Sequence, residues 1–258
     1  MESLKVKTIN DFVNAGEKPE ILFWVGSAGS FDERAKKITR AFVKILNKAN
    51  INFAVLGEQE SSSGDAAKRA GNEFLFQMQA LMNIEILNSY NITNIVTTCP
   101  HSYNTLKNEY YDLGGNYKVT HHTEFISDLI KHGKLNLTTN FNYKKITYHD
   151  PCYLGRGNDI YESPRDLIAN LNIDFVEMPR NKRKSFCCGS GGAQMFKEAE
   201  NGKFEINIIR TEEALKTGAD VIATGCPFCN TMMTDGVKNI SEGQAQVKDI
   251  AELIAECI

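Results

Sequence analysis

Five cysteines carry most of the chemistry that the C-terminal half of this chain can do. They are Cys152, the adjacent pair Cys187–Cys188, and the Cys226-x-x-Cys229 pair in "GCPFCN". Thiolates are soft ligands and suit zinc or iron–sulfur clusters. Structural zinc takes four ligands, typically as two short pairs. One C-x-x-C, one adjacent pair and a fifth thiol fit that pattern poorly. Adjacent cysteines seldom close on one tetrahedral ion, but they can bind neighbouring irons, so the set favours an iron–sulfur cluster. In "CCGSGG", Gly189 and Gly191 remove Cβ atoms beside the thiols and let backbone approach a bulky inorganic group. His149, just before Cys152, is read as a cofactor-binding residue, although a satisfied structural histidine is the plainer reading of it and of His121–His122. Cys257, alone near the C-terminus, reads as core. The tight C-x2-C-x2-C-x3-C-P run of bacterial ferredoxins is absent, so electrons must come from another subunit or protein.

The N-terminal half carries an altered copy of the same set. Ser27 lies 125 residues before Cys152, and Ser62 lies 125 before Cys187. Cys99 and Ser102 lie 127 before Cys226 and Cys229. Self-similarity at a fixed offset marks a repeat. Serine is a hard and weakly acidic substitute for thiolate, and one remaining thiolate cannot hold a cluster. One cluster per chain is therefore expected, in the second half. Ser27, Ser62, Cys99 and Ser102 are expected around an empty or water-filled pocket.

Positioning these residues requires elements that return to one edge. Short apolar runs, "ILFWV", "INFAVLG", "NIVTTC", "KKITYHD", "IDFVEM" and "DVIATG", alternate with amphipathic stretches such as 32–47, 66–87, 163–171 and 193–217. Strand–helix alternation implies parallel sheets covered by helices. The expected fold is α/β: two pseudo-symmetric Rossmann-like units of about four strands, residues 1–137 and 138–258, joined around 132–145. The cysteines fall where strands end, the edge at which open α/β folds bind ligands. Helix N-termini there supply N–H groups to thiolates.

Bulk properties narrow the function. The 258 residues carry a net charge of −3, which gives no general attraction to nucleic acid. The first twenty residues lack an apolar h-region, and no run approaches the roughly 18 apolar residues of a membrane span. With seven cysteines kept as thiols, a cytoplasmic location is expected. "GSAGS" and "GSGGA" do not meet the dinucleotide-loop pattern. Four basic residues in "PRNKRKSF" precede Cys187, where they would tune an anionic cluster or dock an acidic partner.

The run Cys152…Cys187-Cys188-Gly189…Cys226-Pro227-Phe228-Cys229, with "HDPCYLGR" at 149–156, resembles the cysteine-rich CCG domain of the B-type component of heterodisulfide reductase and of related iron–sulfur oxidoreductase subunits. The resemblance covers about residue 21 to the end as a tandem pair. It implies a [4Fe–4S] cluster, in heterodisulfide reductase a non-cubane one. It also implies electron transfer or thiol–disulfide reduction, with a flavoprotein or ferredoxin-type subunit as partner and room for peripheral association with a membrane complex. The competing class is a zinc-binding or structural interaction protein that keeps the fold.

Overall fold

A computed structural model describes residues 4–138, 143–198, 201–241 and 243–258. Residues 139–142, within the expected connection at 132–145, lie outside the described residues, as do 199–200 within the expected helix at 193–217.

Two all-parallel sheets form the molecule. In the first, β1 (Lys7–Thr8), β2 (Ile21–Trp24), β3 (Phe53–Val55), β4 (Asn94–Thr97) and β5 (Lys118–His121) take the order β1-β3-β2-β4-β5. In the second, β6 (Lys145–His149), β7 (Asp174–Phe175), β8 (Val221–Thr224) and β9 (Gln246–Asp249) take the order β7-β6-β8-β9. Without β1, the two orders are the same. Their registers also correspond. Leu22 pairs with Ile95 and Trp24 with Thr97; at the offsets of 125 and 127, Thr147 pairs with Ile222 and His149 with Thr224. The α/β expectation and the repeat both hold at the level of single pairs.

The helices close each sheet and join the two. α3 (Glu33–Lys48) opens at an Asp32 cap and buries Ile38, Phe42, Ile45 and Leu46, the stripe that 3.6-residue periodicity requires. It packs on α12 (Ile250–Glu256), while α7 (His122–Lys131) packs on α9 (Glu162–Ala169). α3 and α9 each follow the first strand of their repeat, and α7 and α12 each follow the last. The two contacts are thus reciprocal, as an approximate two-fold axis demands. One continuous core includes Phe23, Phe42 and Ile126 from one half and Ile146, Leu167 and Ile254 from the other. At its centre, His122 Nε2 lies 2.9 Å from Asp249 Oδ1, both side chains fully buried. His122 is a structural group of this seam, while the His121 ring lies against Thr98 and Gly225, the residues before Cys99 and Cys226.

Three local expectations differ. The N-terminal segment contributes β1 and α1 (Ile9–Ala15), the latter fixed by a Thr8–Asp11 capping box that a short polar stretch conceals. The run 173–178 makes only the two-residue β7. Among the described residues of the expected helix at 193–217, the α-helix is α10 (Ile206–Leu215), after a short 3-10 turn at Gln194–Phe196. Gly192 and Ala193 sit at positive φ, which interrupts a helix before it can propagate.

Candidate metal centre

All five second-half cysteines lie at or beyond the C-terminal edge of the second sheet. β6 ends at His149, and Cys152 follows in the turn before α8 (Gly155–Asn158). Cys226 caps α11 (Pro227–Ile240), with Pro227 at the first helical position, and Cys229 lies in that first turn. Cys187 and Cys188 come from a loop that the sheet does not hold directly. Asp150 anchors it: its carboxylate receives Arg165 at 2.8 and 2.9 Å and the Lys182 N–H at 2.8 Å, while its carbonyl accepts from the Ser185 hydroxyl at 3.2 Å. Buried Arg210 donates to Ser185 at 3.3 Å, to the Arg180 carbonyl at 2.9 Å and to Glu213 at 3.0 Å. Asp150, Arg165 and Arg210 are therefore supporting residues of the site. Only Asp150, adjacent to the motif, left any signal in the sequence.

The thiols form a continuous chain, Cys152–Cys187–Cys188–Cys229–Cys226–Cys99, each interacting with the next. Cys188 and Cys229 approach to 3.3 Å, and Gly189 N–H donates to Cys187 Sγ at 3.3 Å. A ring nitrogen of His149 and the sulfurs of Cys188 and Cys229 lie within 4.8 Å of one another. Hydrogen bonds from Cys152 and Cys188 hold the Cys187 thiol far below its ordinary range. Burial would raise Cys226, yet hydrogen bonds from Cys229 and Cys99 hold it well below. The others rise in compensation: Cys152 mainly through Cys187, Cys188 through Cys187 to about 12, Cys229 through Cys188 and Cys226, Cys99 through Cys226. Buried and half-buried thiols, with no cationic side chain among their hydrogen-bond partners in the described residues, are a donor set suited to a soft metal. All seven cysteines are free.

The sequence places Cys99 only in the first-half pocket, but the two-fold arrangement also sets it beside Cys226, since each caps the helix after the third repeat strand. The pocket itself exists. Ser27, Ser62, Ser63, Cys99 and Ser102 line a cavity of about 60 Å3 between the halves, with Ser190 and Phe228 from the second. Its geometry copies the thiol site. Gly64 N–H donates to Ser62 Oγ at 3.2 Å as Gly189 does to Cys187, and Ser102 donates to Ser63 at 3.4 Å where Cys229 meets Cys188. Gly64 and Gly189 share positive φ values of 85° and 94°. Ser63 is thus the counterpart of Cys188, which offset reasoning missed.

Burial, then the Arg210 guanidinium, pushes His149 down to about 3, so its ring is neutral. His101 bonds Asp65 at 2.8 Å and packs on Tyr153 and Phe228. A Cβ at Gly189 would press on Ile206 and Met232, whereas one at Gly191 would meet nothing. Of the four basic residues, Arg180 pairs with Glu213 and Lys182 with Glu162, leaving exposed Arg183 and Lys184 beside the Cys187 loop.

The chain is similar to several known proteins. The chain is 44% identical over 256 residues to a probable iron-sulfur-binding oxidoreductase, FadF, of Bacillus subtilis (strain 168), covering 98% of this chain and 36% of that one. It is 40% identical to the EtfAB:quinone oxidoreductase of Syntrophomonas wolfei, covering 95% and 35%. It is 32% identical to a component of the dihydromethanophenazine:CoB--CoM heterodisulfide reductase of Methanosarcina barkeri, covering 95% and 61%. The chain thus spans about a third of the length of the first two. Among solved structures, glutamate racemase of Aquifex pyrophilus aligns over 92% of this chain and 81% of its own at 17% identity, with a TM-score of 0.39. The cysteine-rich domain profile known as CCG matches twice, over residues 21–107 and 146–234, each match spanning one set of corresponding loops, and the chain belongs to the CCG cysteine-rich domain family.

Proposed function

We propose that this chain is an iron–sulfur redox subunit, in which Cys152, Cys187, Cys188, Cys226 and Cys229 hold one [4Fe–4S] cluster, cubane or non-cubane. The convergence of these free, largely buried thiols on one sheet edge carries the reading. When bound, such a cluster supplies one-electron chemistry at a potential set by its surroundings. In this reading residues 138–258 are the cluster-bearing unit and 1–137 its cysteine-depleted copy. Gly189 N–H and the His149 ring stabilise sulfur at the site, and Gly191 leaves its rim open.

The role is electron transfer within an oxidoreductase complex, with thiol or disulfide reduction as its catalytic form. The relatives support this, being named as an oxidoreductase, a quinone oxidoreductase and a component of a heterodisulfide reductase. A flavoprotein or ferredoxin-type partner would supply or take electrons, and exposed Arg183 and Lys184 suit an acidic docking face. Among the described residues no helix is long and apolar enough to cross a membrane. In this reading the location is cytoplasmic, which the reduced thiols of an iron–sulfur site favour, and association with any membrane complex is peripheral.

Anaerobic reconstitution with iron and sulfide, followed by metal and sulfide counts, absorption near 400 nm and EPR, tests the proposal. One brown cluster per chain, lost or degraded in Cys226→Ser, is expected. A colourless protein that takes zinc, or a full cluster in Cys226→Ser, rejects it.

A further inference from the structure

We propose that Arg210 holds the His149 imidazole as the tautomer protonated at Nε2, making His149 a hydrogen-bond donor to the sulfurs at Cys188 and Cys229 and not a metal ligand. This rests on the iron–sulfur reading above. The neighbourhood of His149, Cys188 and Cys229 would otherwise suit a three-residue metal site.

The assignment follows from donor bookkeeping. A guanidinium has five N–H donors and no acceptor, and it stays protonated. Arg210 Nε–H points at His149 Nδ1 at 3.0 Å. It cannot turn away. Its Nη1 donates to the Arg180 carbonyl at 2.9 Å and Glu213 at 3.0 Å, its Nη2 donates to Ser185 at 3.3 Å, and the side chain is fully buried. Nδ1 must therefore accept. A neutral imidazole that accepts at Nδ1 carries its one proton at Nε2. Both nitrogens are then closed to a metal: one lone pair is engaged by Arg210 and the other is protonated.

The first half provides an independent comparison. The residue in register with His149 is Trp24, since Trp24 pairs with Thr97 as His149 pairs with Thr224. An indole nitrogen can only donate. Trp24 Nε1 is buried without a hydrogen-bond partner among the described residues. It lies 4.0 Å from the Cβ position of Gly26, which is itself 3.6 Å from Ser102 Oγ. At the end of the first repeat strand, each half thus sets a ring next to its cysteine or serine loop. In the first half that ring is an obligate N–H donor, and Arg210 makes the histidine of the second behave the same way.

An N–H···S bond favours the more negative, reduced cluster and so raises the reduction potential. Redox titration of the iron-loaded protein, with iron and sulfide counted for every variant, reads this directly. His149→Phe should keep iron and show a lower midpoint potential. His149→Gln, which retains an N–H donor, should restore part of the shift, and Arg210→Met should move the potential in the same sense as His149→Phe. Proton ENDOR of the paramagnetic state should show an exchangeable coupling that His149→Phe loses and His149→Gln keeps. In the iron-free chain, 15N spectra should report a single Nε2–H tautomer for His149 that becomes mixed in Arg210→Met. Unchanged potentials in iron-replete variants, a directly coordinated histidine nitrogen in pulsed EPR, or a mixed tautomer in the unsubstituted chain would overturn the assignment. A chain that binds no iron would instead overturn the redox reading itself, while the 15N spectra still judge the role of Arg210.

Discussion

At the residue scale, the site is governed by where protons and charges can rest. Along the thiol chain, hydrogen bonds from neighbouring cysteines hold Cys187 and Cys226 well below the ordinary thiol range, and the neighbours are pushed up. A cluster would replace those shared protons, so metal loading should release protons and weaken as pH falls. Lowering the pH from about 8 to 6 should reduce cluster retention in a chelator challenge, and retention independent of pH would contradict this. Glu60 poses the opposite problem beside the first-half loop. Its carboxylate accepts the Val25 N–H at 3.0 Å and the Gly26 N–H as well, yet burial raises its pKa to about 7 from 4.5. A carboxyl whose folded pKa is raised adds stability that is fully present below the unfolded value and lost as pH rises through the folded one. Folding stability should therefore fall between about pH 4.5 and 7 by at most about 3 kcal/mol from this group. Urea midpoints should show that slope flattened in Glu60→Gln. An unchanged slope would assign the pH dependence to other groups.

At the element scale, the cysteines depend on how helices approach one another. α11 carries Cys226 and Cys229 and lies against α10, which carries Arg210. The approach relies on Gly236: a Cβ there would collide with the Thr211 hydroxyl and lie 3.3 Å from the Asn207 carbonyl. Gly236→Ala should cost roughly 1–3 kcal/mol by overpacking, seen as a lower urea midpoint. It should also loosen the cluster, because Arg210 and Cys229 would be pushed apart. A midpoint at or above the original would mean that the helices have room to separate. The strands and long helices around this site were legible because apolar periodicity and β-branched runs are local properties of the chain. "ILFWV", "NIVTTC" and "DVIATG" became β2, β4 and β8 within a residue or two. The run 173–178 was legible as a strand, though its short length was not, and the break before α10 was not legible, because it follows from the positive φ that Gly192 and Ala193 adopt. The partnership of Arg210 with His149 spans 61 residues, and no spacing rule announces it.

At the scale of the whole molecule, the repeat explains both the thiol site and the serine pocket. The cysteine spacings and the 125–127 offset disclosed two related halves. They did not disclose that the axis relating them would bring Cys99 against Cys226, because that is set by how α3, α7, α9 and α12 pack. The seam is well fixed by Arg34, which meets Glu252 at 2.7 and 2.8 Å, and by the buried His122–Asp249 contact. The first-half loops therefore keep their geometry without thiolates. Serine hydroxyls make the same hydrogen bonds to Gly64 N–H and across the Ser102–Ser63 contact that sulfur makes in the second half. Serine and cysteine differ little in size, so four changes, Ser27→Cys, Ser62→Cys, Ser63→Cys and Ser102→Cys, together with Cys99, should create a second five-thiol set without disturbing the core. Iron and sulfide per chain should rise about twofold after anaerobic reconstitution. Reverting Ser62 alone should abolish the gain and leave the second-half cluster intact. If iron does not rise while circular dichroism and the urea midpoint are unchanged, the first half is a scaffold whose loops match the thiol site in shape but do not converge closely enough to hold metal. Because Cys99 and Cys226 adjoin, two clusters built this way would lie next to each other across the two-fold axis, and the EPR signal of the reduced variant should show magnetic coupling absent from the original protein.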